Sequence, residues 1–187
     1  MAGAWAQPLL QPAPQPLASN PAGTVQLQLR GPQLQALDGE GHLLREWPVP
    51  QGLLPVRVHA ARQSFVVVPR GARELWEVSW SETAEPIYDG LVHDYRMGEG
   101  LARPGYLGLR RTPLQRPLVA VCGCGDQPWL RVWEEGRGGD KGRDDDGAVL
   151  HLDVRRIIAR CTAPSTGSGS APAAAHPGCG CPACPPR

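Results

Sequence analysis

The sequence predicts an all-β fold, and three observations support this prediction. Apolar and polar residues alternate in short runs between residues 24 and 95, which is the pattern of half-buried strands. Gly and Pro stand in the gaps between these runs, where turns are expected. The runs recur roughly every ten residues and fall into groups of about four. Together these features predict a partial β-propeller of about two to three blades, with a β-sandwich as the alternative.

The predicted strands fall into two groups along the chain. The first group contains "TVQLQL" (24–29), "QLQALD" (33–38) and "HLLREWPV" (42–49). The second group contains "PVRVHA" (55–60), "SFVVVP" (64–69), "ELWEVSW" (74–80) and "PIYDGLVHDY" (86–95). In "ELWEVSW", Trp76, Val78 and Trp80 share one face and Leu75 lies on the other, which predicts a strand buried between stacked sheets. His59, between apolar residues of its strand, is expected to be a core or edge residue.

Composition divides the chain into five segments. The Pro- and Gln-rich residues 1–22 and the Cys-, Pro- and Ala-rich residues 161–187 are predicted to be disordered. Residues 23–114 are predicted to form the propeller-like blades. Residues 115–146 are predicted to be an irregular Gly- and Asp-rich insertion, and residues 147–160 a further pair of strands.

Charge and hydropathy exclude several classes of function. The 19 Lys and Arg residues almost balance the 18 Asp and Glu residues, so capture of nucleic acid or of an anionic membrane by charge is not predicted. The sequence contains no apolar run of the roughly 18 residues that a transmembrane helix needs. No signal peptide is readable at the N-terminus. The sequence also lacks a P-loop, a nucleophile elbow and a dinucleotide fingerprint.

Residues 73–114 contain three phrases that resemble a known family. They are the strand "ELWEVSW" followed by "PIYDG", then "GLVHDYR", and finally "RRTPL". The phrases resemble the haem d1-binding propeller family, which comprises the d1 domain of cytochrome cd1 nitrite reductase and relatives in haem d1 maturation. The segment "VLHLDVRRIIA" (149–159) is similar to a strand pair of a later blade. The resemblance implies a haem d1 ligand, a role in denitrification and a periplasmic location for the parent family. It leaves nitrite reduction and haem d1 maturation as alternatives.

The sequence departs from the family in length and in two of its segments. A propeller of this family has more than two or three blades, so we expect a fragment that is not catalytic alone. Residues 115–146 and 160–187 turn abruptly to Gly, Arg, Cys, Pro and Ala, which is typical of a GC-rich gene read out of frame. A frameshifted product is therefore a hypothesis for these two segments.

The resemblance implies a haem d1 site centred on His93. It places His93 on the distal face of the macrocycle, where a neutral imidazole binds iron or donates a proton to a bound anion. Asp94 would fix the tautomer of a neighbouring imidazole. Arg96 and Arg73 would pair with the carboxylates of the macrocycle, because a guanidinium fork fits a carboxylate.

Ordinary structural roles are alternatives for all of these residues. His93 is also placed to end a strand and bond to backbone, and Asp94 to cap a turn. The arginines, including Arg110 and Arg111, are as well explained by solvated surface positions.

The six cysteines support a competing hypothesis. Cys181 and Cys184 have the C-x2-C spacing of zinc ligands, and His176 lies near them in the sequence. The remaining spacings do not fit a zinc site, so free cysteines are expected, and a small β domain with a zinc-binding tail is the alternative. Another alternative is a non-catalytic β-repeat module that binds a protein through exposed blade edges.

Overall fold

The computed structural model describes residues 16–49, 51–83, 87–88, 102–103, 106–136, 147–161 and 179. These residues form three four-stranded antiparallel sheets and one two-stranded sheet. Within each four-stranded sheet the strands follow one another in a meander, as in the blades of a propeller. The prediction of an all-β partial propeller is confirmed, with three blades in the described part of the chain.

The three blades are consecutive in the sequence. The first blade consists of β1 (Pro16–Ser19), β2 (Val25–Arg30), β3 (Gln33–Asp38) and β4 (Leu43–Pro48). The second blade begins with β5 (Arg57–His59), β6 (Ser64–Val67) and β7 (Glu74–Ser79). The hairpin β8 (Ile87–Tyr88) and β9 (Ala102–Arg103) precedes its fourth strand, β10 (Leu109–Pro113). The third blade consists of β11 (Leu118–Gly123), β12 (Trp129–Glu134), β13 (Ala148–His151) and β14 (Arg156–Arg160).

The first strand of each blade lies on the inner side of the molecule. β5 contacts both β1 and β11, and each of the three is paired within its own sheet to only one strand. The Arg57 Nε donates a hydrogen bond to the Val121 carbonyl at 3.1 Å, which joins β5 to β11. The last strands, β4, β10 and β14, therefore form the outer edge.

The middle blade is buried on both faces. Phe65 and Trp76 belong to a cluster shared with the first blade, and Val66 and Leu75 belong to a cluster shared with the third. All four residues of β6 are buried, and Phe65 is 0% exposed. Burying one such side chain contributes about 2 kcal/mol. The prediction that β7 lies between stacked sheets is confirmed.

The first blade shows the alternation most clearly. Leu27 is completely buried in the core cluster, while its neighbour Gln28 points to the opposite face. On that face, the Gln28 Nε2 donates to the Gln35 Oε1 at 3.0 Å, and the Gln35 Nε2 donates to the Glu46 Oε2 at 3.3 Å. A ladder of amides thus crosses β2, β3 and β4, and polar side chains cover this face of the blade.

The prediction of an irregular insertion at residues 115–146 is wrong for β11 and β12. β12 pairs with β11 on one side and with β13 on the other. Its residues alternate between half-buried and buried, and Leu130 and Val132 are at most 1% exposed. These strands belong to the third blade, and their normal pairing and burial argue against an out-of-frame origin for residues 118–134.

The predicted disordered ends also contain described structure. β1 falls within residues 1–22, and its Pro16 stands at the first position of an edge strand, where a missing N–H breaks no ladder. At the other end, the Cys161 amide donates to the Gly147 carbonyl at 2.8 Å and extends the third blade by one residue. Among the described residues, no helix has the length and apolar character that a membrane span requires.

Candidate functional site

Alternate turns of the three blades gather at one end of the molecule, which we call the loop end. In an antiparallel meander every second turn lies at the same end of the sheet. Among the described residues, the loop end is formed by 20–24, 39–42, 60–63, 80–83, 106–108, 124–128 and 152–155. Two contacts align the second and third blades there: the Arg62 Nη1 lies 2.6 Å from the Asp153 Oδ1, and the His59 Nε2 lies 2.8 Å from the Gln127 carbonyl.

The largest turn of the loop end is the insertion 80–108 of the middle blade. The Leu107 amide donates to the Ser79 carbonyl at 2.7 Å, and the Ser79 amide donates to the Gly108 carbonyl at 3.2 Å. The insertion therefore leaves and re-enters the blade at adjacent positions. His93, Asp94 and Arg96 belong to this insertion and lie outside the described residues, so their predicted contact with a cofactor stays a prediction.

Arg73 lies at the opposite end of the blade. It is exposed and precedes β7, and its carbonyl accepts a hydrogen bond from the Leu114 amide at 2.8 Å. A strand of the length of β7 spans about 20 Å. Arg73 is thus separated from the base of the insertion by the full length of the strand, and the described residues do not bring the four predicted site residues together.

A buried carboxylate, Glu77, organises the polar contacts between the second and third blades. It is 5% exposed and accepts hydrogen bonds from the Arg62 Nε at 2.7 Å, the Ser64 Oγ at 2.9 Å and the Arg110 Nε at 3.1 Å. Burial alone would raise the pKa of Glu77, but the hydrogen bond from Arg62 and the charge of Arg110 outweigh burial and hold that pKa below its usual range. Arg62 also reaches Asp153, so the network crosses from one blade to the next.

Arg110 and Arg111, which could also have paired with the carboxylates of the macrocycle, have structural roles. Arg110 lies directly opposite Glu77 in the β10–β7 register and pairs with it. Arg111 lies over the Trp76 ring, 5.5 Å from its centroid. The sequence analysis missed Glu77 because it fits the alternation of "ELWEVSW": it lies on the face opposite Trp76, Val78 and Trp80, where a polar residue is expected.

The structure confirms the expected role of His59. Its side chain is buried, and the Gln127 carbonyl near its Nε2 can only accept a hydrogen bond, so this nitrogen carries the hydrogen. The imidazole thereby links β5 to the β11–β12 turn.

The expectation of free cysteines is wrong for the described part of the chain. Cys161 and Cys179 form a disulfide, and Cys122 and Cys124 are also disulfide-bonded. A cysteine in a disulfide has no thiolate to offer a metal, which removes these four residues from the zinc hypothesis. Cys181, Cys184 and His176 lie outside the described residues.

A second polar group, at the β3–β4 turn, consists of Asp38, Glu40 and His42. Their potential ligand atoms lie within 4.8 Å of one another. The Asp38 Oδ1 accepts the backbone amides of His42 at 2.8 Å and Glu40 at 2.9 Å, and the Asp38 Oδ2 lies 2.9 Å from the His42 Nδ1. These bonds, of which the one from the His42 amide is the strongest cause, lower the pKa of Asp38. They account for the cluster as a turn stabilised by its own aspartate.

A concavity in the described part of the chain lies on the outer edge. We call it the rim groove. It has a volume of about 520 Å³ and is lined by Pro113, Leu114, Gln115 and the residues of β14, Arg156–Arg160. None of these is a histidine, and the three described histidines, His42, His59 and His151, lie elsewhere. The lining of the rim groove therefore does not offer the axial histidine of a haem pocket.

The comparison with known proteins shows that this chain is similar to several solved structures in its fold. No protein-family model and no curated protein sequence matches the chain. Among solved structures, it is similar to the dihydro-haem d1 dehydrogenase NirN in complex with DHE, with a TM-score of 0.54 and 19% identity over 78% of this chain. It is also similar to the N-terminal domain of Nup159, with a TM-score of 0.46 and 11% identity over 80% of this chain and 35% of that one.

A third similar structure is an S. cerevisiae complex of Dbp5 bound to Nup159 and Gle1, with a TM-score of 0.44 and 13% identity over 76% of this chain and 32% of that chain. The chain spans 27% of the length of the NirN chain. At this level of identity the likeness to NirN concerns the fold alone, and that fold is the β-propeller.

Proposed function

We propose that this chain is a segment of a haem d1-type propeller protein that binds haem d1 or its precursor in denitrification. The observation that carries the proposal is the position of "GLVHDYR". It falls in the insertion 80–108, whose two ends are held together by hydrogen bonds to Ser79, so the chain leaves and re-enters the middle blade at adjacent positions. Chemically distinctive residues in such a connection between strands are best explained by binding or catalysis.

In this proposal, recognition of the ligand belongs to the insertion. His93 offers an imidazole to iron or to a bound anion, Asp94 orients it, and Arg96 offers a guanidinium to a carboxylate. The iron of haem d1 would supply the redox chemistry. Arg73 is the weakest member of the set, because it lies at the other end of β7. Because the chain spans 27% of the length of the NirN chain, the proposal is ligand binding and not turnover by this segment alone.

The disulfides support a periplasmic location. Cys161 is bonded to Cys179, and Cys122 and Cys124 are also bonded. Structural disulfides persist in oxidising compartments and are rare in the cytosol. The disulfide-bonded cysteines therefore favour an oxidising compartment.

Titration with haem d1 tests the proposal. The full chain is expected to shift the visible absorption bands of haem d1 and to saturate, and His93→Ala is expected to weaken binding at least about tenfold, or ~1.4 kcal/mol. His42→Ala is the matched control, since His42 is an exposed histidine outside the insertion. Equal affinities of the wild type, His93→Ala and His42→Ala would contradict the proposal.

A non-catalytic interaction module is a second candidate, favoured by one observation. β4, β10 and β14 are edge strands in the described part of the chain, and β14 exposes an apolar side chain, Ile158, at 38%. Unpaired strand edges recruit extended segments of other chains. Saturable binding of a peptide in the absence of any spectral response to haem d1 would favour this candidate over the first.

A further inference from the structure

The rim groove lies between the outer edges of two neighbouring blades. One wall is the end of β10 with Leu114 and Gln115, and the other wall is β14. Among the described residues, β10 pairs only with β7 and β14 pairs only with β13. Both walls therefore present one row of backbone N–H and C=O groups that no strand of their own sheet uses.

The side chains of the groove divide into an apolar base and an exposed rim. Leu114 and Ile157 pack against the core cluster shared by the second and third blades. Ile158, the next residue of β14, points away from that cluster and is 38% exposed. A strand laid along β14 would place alternate side chains on Ile158 and towards the solvent.

The charged groups that line the groove are all basic. Arg156 and Arg160 are its only ionisable lining residues. Arg160 pairs with Glu134, whereas the guanidinium of Arg156 makes no ion pair among the described residues and is exposed. Arg155 lies beside them and donates to the carbonyl of Arg111, which bridges the two blades at this point. An anionic side chain entering the groove thus meets an uncompensated positive charge.

We propose that the rim groove binds an extended acidic peptide segment, which adds to the free edge of β14 as a fifth strand of the third blade. Backbone pairing with β14 provides affinity, Ile158 receives an apolar side chain, and Arg156 selects a carboxylate two positions away. A row of backbone donors and acceptors fits a peptide better than a nucleic acid, whose backbone offers no matching donors. The inference rests on the interaction-module candidate and is independent of the haem d1 proposal.

Fluorescence anisotropy with a labelled synthetic peptide tests the groove. The probe is a peptide of about nine residues in which Glu and Val alternate at every second position with Ser between them, so that a Val facing Ile158 is followed two positions on by a Glu facing Arg156. The control probe carries Lys in place of Glu. We expect the full chain to bind the Glu peptide at least about tenfold more tightly than the Lys peptide at low salt, with a difference that shrinks as salt is added.

Three variants locate the site. Arg156→Glu is expected to weaken the binding of the Glu peptide about tenfold, and Ile158→Ser about threefold. Arg30→Glu, an exposed arginine at the end of β2, makes the same charge change in the first blade and is expected to leave the affinity unchanged. All three positions are exposed, so unchanged thermal unfolding serves as the check that each variant is folded.

The experiment gives different results if the rim groove does not bind the peptide and if the chain is not an interaction module at all. Unchanged binding of the Glu peptide by Arg156→Glu and Ile158→Ser would overturn the groove while leaving the interaction module standing. Absence of binding to either peptide would overturn both. A dimer of the chain that Ile158→Ser dissociates would overturn the peptide assignment in favour of a second copy at this edge.

Discussion

Glu77 and Asp38 are both carboxylates whose pKa lies below the usual range, but the causes differ. Glu77 is buried between two blades and owes its shift to two arginines, whose effect exceeds the opposing effect of burial. Asp38 lies on a turn and owes its shift mainly to the backbone amide of His42. The same direction of shift therefore marks a link between blades in one case and a local turn in the other. Stability measurements separate the two cases.

The largest effect is expected for Glu77→Ala. The substitution leaves the guanidinium groups of Arg62 and Arg110 half-buried without their carboxylate, and breaking a buried pair in this way costs about 3 kcal/mol. Urea unfolding of the purified chain measures this loss. Glu74→Ala, in the same strand, is the control, because its carboxylate lies 4.0 Å from Arg111 on a partly exposed site and should cost less than about 1 kcal/mol. Equal losses in both variants would mean that the network does not join the blades.

The acid dependence of stability should follow Glu77. Its pKa is lower in the folded chain than its ordinary value of 4.5, so the carboxylate stabilises the fold fully above pH 4.5 and this contribution is lost as the pH falls through the folded pKa. The free energy of unfolding of the wild type should therefore drop between pH 7 and pH 3. In Glu77→Gln the drop should be smaller, because the amide does not titrate there. An unchanged slope in Glu77→Gln would contradict the assignment.

A smaller effect is expected for Asp153→Ala. This residue pairs with Arg62 at 2.6 Å, but its side chain is 54% exposed, so the pair is screened by solvent and contributes at most about 1 kcal/mol. Thermal unfolding should show a shift well below that of Glu77→Ala. A loss as large as that of Glu77→Ala would mean that Asp153, in the β13–β14 turn, is as important to the network as Glu77.

The smallest effect is expected for Asp38→Asn. The amide oxygen still accepts the backbone amides of His42 and Glu40, and only the charge-assisted contact with the His42 ring is lost. The midpoint of thermal unfolding should change less than in Asp153→Ala, at both pH 7 and pH 5. A larger change would show that this turn, and not only the network of Glu77, helps to hold the first blade.

Alternation of side chains predicted the fold where both faces of a strand carry a clear pattern. β2, β3 and β7 lie at the predicted positions, because their apolar residues are spaced by two and turns punctuate them. β12 was missed although its burial alternates strictly, because Trp129 and Trp133 stand on the less buried face and made the run look irregular. Whether a residue is polar or apolar predicts the face of the strand on which it lies only when one of the two faces is exposed to solvent.

The site was harder to predict than the fold. Glu77, Arg62 and Arg110 are distant in sequence, and only the strand register of the middle blade brings them together. The pairing of Cys161 with Cys179 likewise depends on the path of the chain, which spacing alone does not give. His93, by contrast, was chosen by resemblance, and its role remains a prediction.

The two hydrogen bonds of Ser79 to Leu107 and Gly108 also bear on how such a blade evolves. Because the chain leaves and re-enters the blade at neighbouring points, lengthening the segment between Ser79 and Leu107 costs little folding free energy. Each doubling of the length of a flexible loop costs only about 0.6 kcal/mol. Residues in the insertion can be exchanged, added or removed without shifting the register of β7 against β10. The middle blade is thus a stable frame on which selection can vary the inserted segment with little loss of folding free energy.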